Sequence, residues 1–167
     1  MTTMTETNVT TQVYRVYIKA TPQAIWDAIT KPEWTERFGY GGRVEYELRP
    51  GGAYRGFSSE EMRANGAPEL AVDGEVIEAD PPRRLVQTFR MLMDEDMAAE
   101  GFTRLTYEIA ERAGGLSRLT VVHELEGAPR LAALLAGEWE DQGAGGGWSF
   151  ILSGLKTLLE TGDSLVH

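Results

Sequence analysis

Along the chain the spacing of apolar positions changes period twice, and each change marks a different kind of element. Tyr14, Val16 and Ile18 alternate with Arg15, Tyr17 and Lys19, which predicts a first strand, starting near Gln12, with one buried face. Thr21-Pro22 comes next, a hydroxyl able to cap a helix and a proline at the first helical position, where a missing N–H is harmless. This predicts a short helix to Ile29. Lys31-Pro32-Glu33 repeats the signal and opens a second short helix carrying Trp34 and Phe38, ended by Gly39, Gly41 and Gly42.

Strand spacing then returns. Val44, Tyr46 and Leu48 alternate with charged residues, Pro50-Gly51-Gly52 turns the chain, and Ala53 to Phe57 completes a hairpin. The polar segment Ser58 to Glu69 reads as a loop. Further strands are predicted at Ala71 to Ala79, Leu85 to Met91, Thr103 to Glu111 and Leu116 to Leu125. Turns at Asp80-Pro81-Pro82 and Gly114-Gly115, and an acidic connection from Asp94 to Gly101, separate them. The sum is about seven strands in a meander joined by short connections.

Residues 129–139 again show helical spacing. Past them, Trp148, Leu152, Leu155 and Leu159 recur on one side of a long helix ended by Gly162, with Ser149, Ser153, Lys156 and Glu160 on the other. Such a stripe needs an apolar partner, and a curved antiparallel sheet needs its concave face covered. The expected fold is therefore α+β, a sheet of about seven strands with two short helices, wrapped on a long C-terminal helix. Residues 1–11 are small, polar and aperiodic and read as a disordered tail, leaving 12–167 as a single domain.

Composition narrows the function classes. A chain of 167 residues buries a core without metal or disulfide support. It has no cysteine, which excludes disulfides, thiolate nucleophiles and cysteine-ligated metal centres and fits a reducing cytoplasm. With 16 Lys+Arg against 26 Asp+Glu the formal charge is -10, repelling phosphate backbones and anionic lipid, so neither nucleic acid nor a membrane is expected as a partner. No apolar run approaches the roughly 20 residues that span a bilayer, and the N-terminus lacks the basic and apolar regions of a signal peptide. Cytoplasmic localisation is expected.

The order of elements and several local motifs resemble the START-like SRPBCC superfamily, and within it the branch of homologues of the heat-shock-protein ATPase activator. The resemblance spans nearly all of the chain after the tail. It rests on Ala20-Thr21-Pro22 with Ile25-Trp26, on Arg49-Pro50-Gly51-Gly52, and on the run from Gly74 through Pro81-Pro82 to Leu85. Leu119 to Glu124 with its histidine, and Gly147-Trp148 followed by Leu155-Lys156 and Leu159-Glu160, complete it. The helix-grip fold is implied, with a ligand cavity between the sheet and the long helix. Phe89 stands where many members carry a tryptophan. The extra domain that engages the chaperone in eukaryotic activators has no counterpart here, so chaperone binding is not supported.

Alternation and the helix stripe select the residues expected to bind a ligand in that cavity. Tyr46 and Tyr54 come from the hairpin, Phe89, Tyr107 and His123 from later strands, and Trp148, Leu152 and Leu155 from the helix. The same pattern describes a filled core, and periodicity does not separate the two. His123 shares a face with Leu119 and Val121; an imidazole there either orients a ligand or moves a proton, or is a core histidine held by hydrogen bonds. His167 is the terminal residue. Asp94, Asp96 and Glu100 depart from the calcium-loop spacing, and the glycines at 143 and 145–147 lack the Gly-Lys-Ser/Thr of a phosphate loop. No metal or cofactor is expected, and catalytic residues are unassigned.

Three functions fit. The first is a binder of a small hydrophobic molecule, aromatic ones included. The second is an enzyme similar to polyketide cyclases and aromatases, in which His123 with Tyr46 or Tyr107 moves protons. The third is a protein-interaction module with no interior ligand. The charge balance yields one expectation common to all: a gel shift with DNA or RNA should show no salt-sensitive binding, and an affinity falling steeply with added salt would contradict it.

Overall fold

The structure is a computed structural model that describes residues 10–165. Most of the expected tail and His167 lie outside the described residues. Strand β1 (Thr11–Ile18) leads into helix α1 (Pro22–Thr30), where the Thr21 hydroxyl accepts the Ala24 N–H at 3.1 Å. This is the cap that the Thr-Pro pair predicts. Helix α2 covers only Pro32–Thr35. It stops short of Phe38, and the chain then turns through Gly39 and Gly41, whose φ angles are positive.

The chain continues through β2 (Val44–Tyr46), β3 (Ala53–Phe57), α3 (Glu60–Ala64), β4 (Leu70–Asp80) and β5 (Arg84–Met91). After these come α4 (Glu95–Ala99), β6 (Thr103–Glu111), β7 (Ser117–Glu124), α5 (Pro129–Leu135) and α6 (Gly147–Thr161). The seven strands form one antiparallel sheet in the order β1-β7-β6-β5-β4-β3-β2. Strands β2 to β7 are a meander, but β1 crosses to the far side and pairs with β7, Thr11 opposite Glu124 and Ile18 opposite Ser117. Register shifts at Gly56/Phe57 and at Val76/Glu78 bend the middle strands, as extra unpaired residues in a ladder do. The sheet curves around α6.

Three further sequence expectations are corrected. Leu48 does not continue the face of Val44 and Tyr46: β2 ends at Tyr46, and Leu48 is 39% exposed. The segment Ser58 to Glu69 contains α3, capped by the Ser59 hydroxyl, which accepts the Met62 N–H. The acidic segment contains α4, where Asp94 Oδ1 accepts the N–H groups of Asp96 and Met97. Glu100 reaches further and accepts the N–H groups of Arg130 and Leu131 at 2.9 and 3.2 Å. It thereby caps α5, whose own N-cap is an alanine without a side-chain acceptor.

Helix α6 buries Trp148, Leu152, Leu155 and Leu158 and exposes Ser149 and Ser153. Its stripe meets Leu119 of β7 and the other apolar residues of the inner sheet face in one core. Gly147 starts the helix at φ 73°, and a Cβ there would lie 2.1 Å from the Leu135 carbonyl oxygen, so no other residue fits this corner without moving backbone. At the other end Lys156 Nζ donates to the Tyr17 carbonyl at 2.6 Å, and the Lys19 N–H donates to Glu160 at 2.8 Å. Both ends of the helix are thus tied to the rest of the molecule. Leu155 is 1% exposed, so Leu155→Ala should lower unfolding free energy by about 2–5 kcal/mol in a denaturant titration. A loss below about 0.5 kcal/mol would show that the helix does not cover the sheet there.

Candidate functional site

Between the sheet and α6 lies a cavity of about 220 Å³. Seven of the eight residues expected there line it: Tyr46, Tyr54, Phe89 and Tyr107 from the sheet, and Trp148, Leu152 and Leu155 from α6. The rings are arranged against one another. Tyr46 and Tyr54 have centroids 4.8 Å apart, and Tyr107 meets Trp148 edge-on at 6.1 Å. Gly56, two residues along β3 from Tyr54, leaves space beside them, since a Cβ there would be 2.4 Å from Val72 Cγ2 and 3.5 Å from the Tyr54 hydroxyl.

His123 does not line the cavity. It lies one layer behind, fully buried, with Phe89 and Trp148 edge-on to its ring at 5.2 and 6.0 Å. Both nitrogens are engaged. The Trp148 indole N–H lies 3.2 Å from Nδ1, and Nε2 lies 2.7 Å from Thr103 Oγ1. An indole N–H only donates, so Nδ1 must be the bare acceptor and Nε2 must carry the proton. Nε2 then donates to Thr103 Oγ1, whose own proton goes to the Phe89 carbonyl at 3.0 Å. Every group in this chain of bonds is satisfied by the neutral imidazole alone. Burial also disfavours the cation, and the His123 pKa falls to about 3 from the ordinary 6.5.

The tyrosines are held neutral as well. Burial raises the pKa of Tyr46, Tyr54 and Tyr107, and for Tyr46 the neighbouring Tyr107 and Tyr54 add to the effect. They are donors, not bases. The Tyr46 hydroxyl donates to Oε1 of the fully buried Gln87. Among the lining residues the one charged side chain is Arg43, at the cavity's edge, 3.2 Å from Glu45 and 4.3 Å over the Phe57 ring.

Several lining residues have no periodicity to announce them. Phe38 and Tyr40 are placed by the glycine turns after α2, Met62 by α3, and Met93 by the chain just past β5. The aromatic pair among glycines in Phe38-Gly39-Tyr40 and the Met91-Leu92-Met93 run are the signals that were present. Among the described residues no group of His, Asp and Glu side chains is arranged to hold a metal ion. No helix is long and apolar enough to cross a membrane.

This sheet gripping a long helix over an interior cavity is the START-like SRPBCC architecture. Residues 19–160 match the family described as Activator of Hsp90 ATPase homolog 1-like protein, and the chain belongs to that family. Solved structures share its fold. Protein CV1439 from Chromobacterium violaceum is 22% identical with a TM-score of 0.64, over 90% of this chain and 97% of that one. The Aha1 dimer from Colwellia psychrerythraea is 17% identical with a TM-score of 0.62, over 92% and 98%. PFC0360w, an HSP90 activator from Plasmodium falciparum, is 18% identical with a TM-score of 0.55, over 70% and 74%. No curated protein matches this chain.

The histidine geometry has a pH signature. Because the native pKa of about 3 lies below the ordinary 6.5, the unfolded chain binds one more proton than the native one between those values. The contribution is complete above pH 6.5 and is lost as pH falls through the window, at up to about 1.4 kcal/mol per pH unit. Denaturant titrations at pH 7 and pH 5 should differ by about 2 kcal/mol, and by markedly less in His123→Gln. An equal pH dependence in both proteins would contradict the buried neutral imidazole.

Proposed function

We propose that this protein binds a small apolar molecule between the sheet and α6, without chemical conversion. The observation that carries the reading is the cavity itself: about 220 Å³ of space walled by aromatic and aliphatic side chains. An apolar cavity of about 150 Å³ accepts a benzene ring, so this one suits a molecule of one or two rings. Its aromatic walls give contact area with little entropy to lose on binding.

The proton-transfer alternative finds less support. A catalytic base needs a free lone pair within reach of the substrate, and both His123 nitrogens are occupied behind the wall. The tyrosines are kept protonated by burial. Co-chaperone activity, named for relatives, finds no support in this cavity, which offers an interior volume and no protein-sized surface.

Naphthalene is a suitable probe. Calorimetry should give a Kd in the micromolar range, about -8 kcal/mol. Leu152→Arg, which places a guanidinium among apolar walls, should weaken binding at least about tenfold while far-UV dichroism is kept. Unchanged affinity in this variant would locate the ligand elsewhere.

A further inference from the structure

The inner polar groups of an apolar cavity decide which apolar molecule it prefers. Four phenols line this one, and they differ: the Tyr40 hydroxyl, at the glycine turn, accepts the Gly147 N–H at 3.1 Å. Tyr46 is committed to Gln87. The hydroxyls of Tyr54 and Tyr107 have no hydrogen-bond partner among the described residues, although both rings line the cavity. Neither is sealed within protein, because Arg118 Nε is the one fully enclosed, unbonded side-chain polar atom among the described residues. Each hydroxyl therefore keeps an accessible side, on a ring that lines the cavity. Gly56 keeps that side open next to Tyr54, since a Cβ at 56 would come within 3.5 Å of the hydroxyl.

Two donors facing an apolar space ask for an acceptor, because a phenol left unpaired there forfeits the bonds it makes in water. Charge is excluded on separate grounds. Arg43 is the one charged residue of the lining, and it is already paired with Glu45 and laid over Phe57. No cation is left to balance a carboxylate, and no anion lines the wall to receive an ammonium.

We infer that the ligand is an uncharged one- or two-ring molecule bearing a carbonyl-type oxygen, a ketone, quinone or lactone, which accepts hydrogen bonds from Tyr54 and Tyr107. Its hydrocarbon body packs on Phe89, Trp148 and Leu152. This rests on the cavity-binding reading above and adds the chemical class.

Two probes that differ in one oxygen test it: 1-tetralone and tetralin, titrated calorimetrically into the parent, Tyr54→Phe, Tyr107→Phe and the double variant. The replaced hydroxyls bond to no described residue, so the ligand-free melting temperature should be kept or raised. Each single substitution should weaken 1-tetralone binding about threefold or more, and the double about tenfold or more, with tetralin unchanged within about twofold. The carbonyl carbon of labelled 1-tetralone should shift downfield on binding to the parent and not on binding to the double variant. If both probes bind and the double variant leaves 1-tetralone affinity unchanged, the carbonyl inference falls while the cavity reading stands. Equal weakening of both probes would mean that the substitutions act on shape, and the inference falls likewise. If neither probe binds the parent, both readings fall.

Discussion

A single chain of buried hydrogen bonds holds the working part of this molecule in place. It runs from the Trp148 indole through both nitrogens of His123 to the Thr103 hydroxyl and the Phe89 carbonyl, and so joins α6 to β7, β6 and β5 in turn. Inside a low-dielectric core such a chain is strong when complete and costly when broken, because each orphaned group then pays its full desolvation. The direction of every bond follows from the indole, which can only donate. The helix therefore has a fixed depth against the sheet rather than a greasy contact free to slide.

That constraint explains how a cavity persists beside a packed core. Trp148 and Phe89 serve twice, as members of the relay and as walls of the cavity. Helix α6 cannot settle onto the sheet to close the space without pulling the indole off His123. Its far end is also held, by Lys156 on Tyr17 and by Glu160 on Lys19, and its first residue is wedged against the Leu135 carbonyl at a conformation glycine adopts freely. Empty apolar volume lowers stability through lost contacts, so a fold that keeps it gains something from it, and a ligand is the direct candidate.

Much of this was legible in the sequence, for identifiable reasons. Alternation located the strands, and the stripe through Leu152 and Leu155 located the helix that covers them, because burial of one face dictates both patterns. Alternation also put His123 on the inner face, but it does not reveal depth behind the wall; only the rings of Phe89 and Trp148 in front of it set that. The edge of the site escaped the pattern. Phe38 and Tyr40 are aimed by glycine turns, and α3 buries no residue at all, so it has no apolar period to read. Its cap, Ser59, and that of α4, Asp94, were visible as residue types but carry little weight in a polar stretch. The crossing of β1 to β7 was equally hidden, since periodicity specifies faces and not neighbours.

The state of His123 is the most direct point of attack. Nitrogen-15 NMR of the imidazole should show Nδ1 unprotonated and Nε2 protonated, with no titration between pH 7 and pH 5, and the Trp148 indole N–H should exchange slowly with solvent. A His123 that titrates near the ordinary 6.5, or that carries its neutral proton on Nδ1, would contradict the relay and with it the fixed seat of α6 over the cavity.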